Sequence, residues 1–265
     1  MLEFPRATWP LGTPEDDVPP YEGDDPLDAG DDQADGELLF QANPRSSMVT
    51  RTLEGGGLRP TARADYNVLW QKRFLNPFQM RSLHPQQRVN HFPGMNFLTH
   101  KDQLVRTVRA ASARAVSAGH PEAAVERYLP TTWLLPDEMD TLESAWQAGR
   151  VLILKFGISA RGEGIQLTTS LADVRAASAA AAAEGATLVA SVYVRSPYLV
   201  PVGPTGRKFD LRLYVCVTCV DPLRAYWHTE GLVRFASSPY QLNPDNLGER
   251  GVHLTNYTVN KVQNS

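Results

Sequence analysis

The stretch Arg207–Tyr214, RKFDLRLY, alternates charged and apolar residues with a period of two. That is how a β-strand is written when one side meets a core and the other stays open, because successive side chains point to opposite faces of a sheet. On this reading Lys208, Asp210 and Arg212 share one face, and Phe209, Leu211 and Leu213 face a core. Two cations and a carboxylate in a row suit phosphoryl and carboxylate groups. A self-neutralising charge ladder facing water is the plainer alternative.

The flanking sequence predicts helices mixed with strands. Lys101–Ala118 has helical spacing, with Leu104, Val105, Val108 and Ala111 on one stripe, and Gly119-His120-Pro121 ends it. Tyr128–Leu135 reads as a short strand, and a helix follows from Asp137 through Leu142 and Trp146 to Gly149. Val151–Lys155 is a buried strand, Gly157–Gly164 a loop and Ile165–Thr168 a returning strand. Ser170 has the look of an N-cap for an alanine-rich helix closed by Glu184-Gly185. Leu188–Val194 and Phe209–Val220 are the next strands, followed by a hairpin-like pair, Leu223–Trp227 and Gly231–Phe235. A last strand places His253, Thr255 and Tyr257 on one face. The order, with its antiparallel features, predicts an α+β fold rather than a doubly wound sheet.

Charge divides the 265 residues unevenly. Residues 1–40 hold 12 acidic side chains and one basic one, Arg6, although the net charge of the whole is only −3. This lead-in cannot bury enough apolar surface to offset its conformational entropy, so residues 1–64 are expected to be disordered, with Gly55-Gly56-Gly57 as a flexible joint and order starting near Tyr66. Residues 65–149 then read as a basic lobe and 150–265 as a second part. Gln41–Arg109 carries 11 Lys and Arg against Glu54, Asp65 and Asp102. Such a front suggests an anionic partner, whether nucleic acid, phosphate or acidic protein; an ordinary solubilising surface is the alternative. No apolar run reaches the roughly 18 residues of a membrane helix, and MLEFPRATWPLG lacks the pattern of a secretory signal. Cys216 and Cys219 have CxxC spacing, but i and i+3 on a regular strand face opposite ways, so they read as two buried structural cysteines in a reducing compartment.

Three further segments carry chemistry. In VLILKFGISARGEGIQL, Lys155 ends an apolar strand and a glycine-containing turn follows, with Arg161, Gly162, Glu163 and Gly164. Glycines let backbone N–H groups approach phosphate oxygens, and a strand-anchored lysine adds a point charge. The order fits neither a Walker loop nor a dinucleotide fingerprint, and a hairpin turn with an incidental lysine explains it as well. Glu230–Phe235 flanks a short strand with a carboxylate and Arg234. VHLTNY, 252–257, places His253 beside the polar Thr255 and Asn256.

Taken with YNVLWQKRFLNPF (66–78), VNHFPG (89–94), the Lys101-Asp102 pair, LPTTWLLPDE (129–138), YVRSPYLV (193–200) and DPLRAYWHTEGLVRF (221–235), these segments resemble the tubulin–tyrosine ligase-like family from about Tyr66 to Lys261. VNHFPG followed by Lys101-Asp102 looks most like the glutamate-adding members. The resemblance implies an ATP-grasp-like arrangement of mixed sheets with flanking helices, and ATP-dependent ligation of glutamate onto glutamate side chains of tubulin tails through an acyl-phosphate. It implies ATP and Mg2+ as cofactors, with tubulin tails or microtubules and free glutamate as partners. No nucleic acid or membrane is implied; the chain would be a monomer in the cytoplasm on the microtubule cytoskeleton, the cilium or basal body included. A catalytically inactive relative that only binds microtubules, and a ligase for another acidic protein, are the rival readings.

Carried over residue by residue, the resemblance implies that Lys155 and the Arg161–Gly164 loop hold nucleotide phosphates. It implies that Lys208 and Asp210 meet the nucleotide and its ribose, and that Ser191 and Tyr193 lie near the adenine. Arg212 and Arg234 would hold the phosphorylated carboxylate and incoming amino acid, with His253 and Thr255 positioning that acceptor. Phe156 stands where the family usually has Pro, and Ser191 where it usually has Gln. The family's acidic-x-Asn metal ligands do not occur before Ser265, so they are expected downstream and the sheet is expected to be incomplete at the C-terminus.

Overall fold

The computed structural model describes residues 37–43, 46–157, 164–201 and 206–261, and the chain divides into two compact units at Pro93 and Gly94. The first unit runs β1 (Leu39–Asn43), α1 (Ser47–Gly55), β2 (Arg59–Pro60), β3 (Val68–Gln71), α2 (Pro77–Arg81) and β4 (Arg88–Val89). Its strands form a parallel sheet ordered β2-β1-β3-β4. Among the described residues the first strand already begins at Leu39, well before Tyr66, and Phe40 and Leu69 bury themselves in its sheet. Gly55-Gly56-Gly57 is not a joint: it ends α1, and Gly57 takes a φ of 84°, open to glycine, to send the chain into β2. Asn76 starts α2 through a capping box with Gln79, with Pro77 in the first turn. The acidic run from Pro14 to Gly36 lies outside the described residues.

The second unit opens with α3 (Asn96–Thr99) and α4 (Lys101–Ser117), followed by β5 (Thr132–Leu135), α5 (Met139–Ser144), β6 (Leu152–Phe156), β7 (Gln166–Thr168), α6 (Leu171–Ala183) and β8 (Leu188–Val192). The four strands make an antiparallel sheet ordered β5-β8-β6-β7. Alternation assigns its two faces. Trp133, Leu135, Leu152, Leu154, Leu188 and Ala190 pack with Leu142 of α5 and with Val174 and Ala181 of α6. Leu134 and Val189 turn the other way, onto Val105 of α4. Each leucine buried in this sandwich contributes about 1.5–3 kcal/mol relative to exposure. The Ser170 hydroxyl caps α6 by accepting the Asp173 N–H, as its sequence predicts. Because β5 and β6 share one sheet, a boundary at 149/150 would cut through a single unit; the division into 65–149 and 150–265 gives way to one at 93/94.

The remaining strands are β9 (Leu199–Val200), β10 (Arg207–Arg212), β11 (Val215–Val220), β12 (Leu223–Trp227) and β13 (Leu232–Phe235). The fold is α+β, as expected, but the pairing differs from the sequence reading. Phe209–Val220 is two strands, broken at Leu213 and Tyr214. β12 pairs with β11, and β13 pairs with β10, so Leu223–Trp227 and Gly231–Phe235 are not partners. β10 also pairs with β9. Leu211 is 59% exposed and Leu213 45%, so the apolar side of RKFDLRLY does not face a core; Phe209 is half-buried, its ring against those of Tyr198 and Phe235.

His253 and its neighbours are not on a strand. They form two short helices, α7 (Arg250–His253) and α8 (Tyr257–Lys261), with Thr255 in the extended link. The cysteines are not buried either: Cys216 is exposed and Cys219 half-buried. A bulge between Val217 and Cys219 sets Cys216 opposite Tyr226 and Cys219 opposite Arg224, two ladder positions apart. One extra residue thereby returns both thiols to the same face, which spacing on a regular strand forbids.

Candidate functional site

Three lysines from distant segments meet in the second unit. Lys155 lies one residue before the end of β6 and shares its face with Ile153. Lys101 begins α4; its backbone N–H donates to the Gly157 carbonyl at 3.1 Å and its Nζ to the Phe156 carbonyl at 3.0 Å, fastening the helix to the end of the strand that carries Lys155. Lys208 comes from β10. Burial pushes the Lys155 ammonium down, and the Lys101 charge pushes it further. Burial and the Lys155 charge bring Lys208 down to about 8, with Asp210 opposing them. Cations crowded and desolvated in this way form a place for an anion. Lys101 escaped the sequence reading as a site residue. Its signal was a cation in the first turn of a helix, where the helix dipole disfavours it.

Lys208 is held in a fixed pose. Its Nζ donates to the Tyr193 hydroxyl at 2.9 Å and to the His253 carbonyl at 3.0 Å, and lies 4.5 Å from the Tyr193 ring centre. Tyr193 is buried against Val151 and Leu167, and burial raises its hydroxyl pKa well above the ordinary value. His253 sits behind it, 1% exposed, its ring edge-on to both Tyr193 and Tyr240. Burial first, then the Lys208 charge, lowers its pKa, so the imidazole is neutral.

Along the same strand, Asp210 and Arg234 are register partners across β10 and β13. The guanidinium grips the carboxylate with two N–H groups, Nε reaching Oδ1 at 2.7 Å and Nη2 reaching Oδ2. Thr255 Oγ1 donates to the same Oδ2 at 2.9 Å. Burial favours the neutral acid, but the hydrogen bonds from Arg234 and Thr255 outweigh it and hold Asp210 below the usual carboxylate range. Asn260 pins the C-terminal segment, accepting the Ser237 N–H at 2.8 Å and donating to the Leu254 and Asn256 carbonyls. Gly231 permits the close approach of β13 to β10, since a Cβ there would lie 2.9 Å from the Arg212 carbonyl oxygen.

The structure thus brings together Lys155, Tyr193, Lys208, Asp210, Arg234, His253 and Thr255. Arg212 is exposed, its guanidinium 5.9 Å from the Tyr214 ring centre. Ser191 lies on the Lys155 face of the sheet but is buried, its hydroxyl bonded to Thr132 Oγ1 at 2.8 Å. Gly164 is exposed with φ of 63° and sits against the Phe156 ring. Arg161, Gly162 and Glu163 lie outside the described residues. The lysine cluster fits a polyanion such as a nucleotide phosphate chain. A divalent cation finds no such fit: among the described residues no three His, Cys, Asp or Glu side chains gather.

Part of the basic front is neutralised internally. Arg106 pairs with Asp137 and Arg109 with Glu126 and Glu138. In the first unit Lys72, Arg73 and Arg81 are exposed among the aromatic Phe74 and Phe78. No helix among the described residues is long and apolar enough to cross a membrane.

Comparison with known proteins bears on what this arrangement serves. The tubulin-tyrosine ligase family matches residues 78–265. A probable beta-tubulin polyglutamylase of Tetrahymena thermophila is 36% identical over 202 residues, 74% of this chain and 15% of that protein. The mouse tubulin polyglutamylase TTLL6 is 32% identical over 228 residues, 84% of this chain and 25% of that protein. The Caenorhabditis elegans tubulin polyglutamylase ttll-4 is 37% identical over 217 residues, 81% of this chain and 33% of that protein. The chain spans a third or less of the length of these relatives.

Proposed function

The chain belongs to the tubulin-tyrosine ligase family, and from that premise we propose that it forms the nucleotide- and amino-acid-binding part of an ATP-dependent ligase joining free glutamate to glutamate side chains of tubulin tails. The observation that carries this reading is the cluster of Lys101, Lys155 and Lys208, whose mutual repulsion and burial lower Lys155 and Lys208. Its charge is balanced when phosphates enter.

In the proposed reaction an oxygen of the target carboxylate attacks the γ-phosphorus of ATP, and ADP leaves. The amine of free glutamate then attacks the acyl carbon; phosphate departs and the amine loses its proton as the amide forms. The lysines hold phosphoryl oxygens and offset the charge that spreads over them during transfer. Arg161, Gly162, Glu163 and Gly164 are assigned to the same phosphates on their sequence alone. Arg212, exposed at the end of β10, is free to meet the phosphorylated carboxylate or the α-carboxylate of glutamate. Arg234 and Thr255 act by holding Asp210 toward the ribose. Since the hydroxyls of Ser191 and Tyr193 are engaged inside the protein, the adenine contact passes to the backbone beside them. The described residues offer no Mg2+ site. The place of action on this reading is the microtubule surface.

Incubation with microtubules, ATP, Mg2+ and glutamate, followed by mass spectrometry of the tubulin tails, tests the proposal. In a chain that also carries the family's metal ligands, additions in steps of one glutamyl unit are expected, lost in Arg212→Ala while its circular dichroism stays unchanged. Normal modification by Arg212→Ala would remove that residue from the site. Failure of the folded chain to bind ATP at all would sink the ligase reading, and sedimentation with microtubules without any addition would favour a binding module.

A further inference from the structure

Resting on that reading of the phosphate site, we propose that His253 is a positioning residue for Lys208, acting through the Tyr193 hydroxyl, and does not touch the incoming amino acid. The argument is one of hydrogen-bond direction. His253 Nε2 lies 2.9 Å from the Asn246 carbonyl oxygen, which can only accept, so the ring proton sits on Nε2. Nδ1 is then a lone pair, and it faces the Tyr193 hydroxyl at 3.1 Å. Tyr193 has one proton, and the acceptors facing it are Nδ1 and the oxygen of Tyr240, whose own hydroxyl proton goes to the Arg195 carbonyl at 2.8 Å. The Tyr193 oxygen lone pairs are left for Lys208, whose Nζ donates at 2.9 Å. The second fixed partner of Lys208 is the carbonyl of His253 itself, at 3.0 Å. A single residue therefore anchors the ammonium twice, once through the main chain and once through the ring.

Asn246 is itself a built anchor. It closes a capping box with Asn243 and donates through Nδ2 to the Gln241 carbonyl at 2.7 Å. The opposite histidine tautomer would set a second donor against the Tyr193 oxygen in competition with Lys208, and would leave Nε2 with no proton for the Asn246 carbonyl. Two of the three ammonium protons are placed before any ligand arrives, so less rotamer freedom is lost on binding. The charged and titratable groups around Lys208 are Lys155 from β6, Asp210 on its own strand, Tyr193 after β8 and His253 from α7, with Glu249 and Tyr240 facing the imidazole. Removing the Tyr193 acceptor leaves Lys155 opposing a less supported charge.

The test follows Lys208 Cε by NMR titration in the full chain and measures ATP binding at pH 6.5 and pH 8.5. The variants are Tyr193→Phe, His253→Gln and His253→Asn. Tyr193→Phe keeps the ring and loses the acceptor. His253→Gln keeps a donor near Nε2 and loses the acceptor at Nδ1, whereas His253→Asn keeps an acceptor near Nδ1. Lys208 is expected to titrate lower in Tyr193→Phe and His253→Gln than in the parent chain, and His253→Asn to stay close to it. ATP affinity should fall several-fold at pH 8.5 in the first two variants and recover at pH 6.5, where Lys208 is protonated again. An unchanged Lys208 midpoint in Tyr193→Phe, or equal behaviour of the two His253 variants, would overturn the proposal; so would a loss of affinity that ignores pH. If the parent chain binds no ATP, the nucleotide reading fails while the Lys208 midpoints still decide the role of His253.

Discussion

Asp210 is the residue on which the β13-β10-β9 sheet and the site depend together. It receives two N–H groups from Arg234 and a hydroxyl from Thr255, joining β10, β13 and the link before α8. Asp210→Asn keeps the shape and loses the charge, leaving an amide where the guanidinium expects two acceptors. Because the pair is about a third exposed, the cost should be about 1–2 kcal/mol. The pH dependence carries a definite sign. The folded-state pKa of Asp210 lies below its unfolded value, so its contribution is complete above pH ~4 and fades as pH falls through the folded pKa. Urea midpoints at pH 7 and pH 3 should therefore differ less for Asp210→Asn than for the parent chain. An equal drop in both would show that the ion pair stabilises nothing.

At the scale of elements, the pairs β10–β13 and β11–β12 stand apart from the buried sandwich of β5, β6 and β8. Val215, Val220, Leu223, Tyr226, Trp227, Leu232 and Val233 are all exposed on them, Trp227 at 65%. Exposed apolar strand surface of this extent attracts other chains. The chain alone should bind a hydrophobic dye and associate at rising concentration, and Leu223→Lys with Val233→Lys should reduce both without changing the circular dichroism. Undiminished dye binding in the double variant would place the sticky surface elsewhere. These strands also show why the sequence is legible only in part. The sandwich could be read, since Val151–Lys155 and Leu188–Val194 are apolar runs and Ser170 announces its helix. Lys155 and Lys208 could be read as well, because a lysine after an apolar run or within an alternating one is conspicuous. Pairing could not be read, since β12 fits β11 or β13 equally by composition. Nor could Lys101, Asn246 and Asn260, whose roles come from contacts between segments far apart in sequence. The Thr218 bulge leaves no mark in the residue pattern, so spacing alone puts the two cysteines on opposite faces.

On the scale of the whole molecule the uneven charge has a consequence for any acidic partner. Residues 1–40 carry 12 acidic side chains to one basic one, and the remaining 225 residues are net positive within a total of −3. An acidic segment covalently attached to a cationic surface is present at high effective concentration and competes with an acidic peptide for the same cations. The cations open to such a peptide are fewer than composition suggests, because Arg106 and Arg109 are neutralised by Asp137, Glu126 and Glu138, while Lys72, Arg73 and Arg81 are exposed. Removing residues 1–36 should strengthen binding to a glutamate-rich tail peptide several-fold at low salt and leave the ellipticity of the described elements unchanged. The gain should shrink toward nothing as ionic strength rises past about 0.15 M, where the screening length falls to about 8 Å. If the acidic segment competes for these cations, exchange of Lys72 and Arg73 for Gln should weaken the truncated chain more than the parent. Equal affinities of parent and truncated chain at low salt would mean that residues 1–36 never meet this surface, and the net charge alone would then govern association.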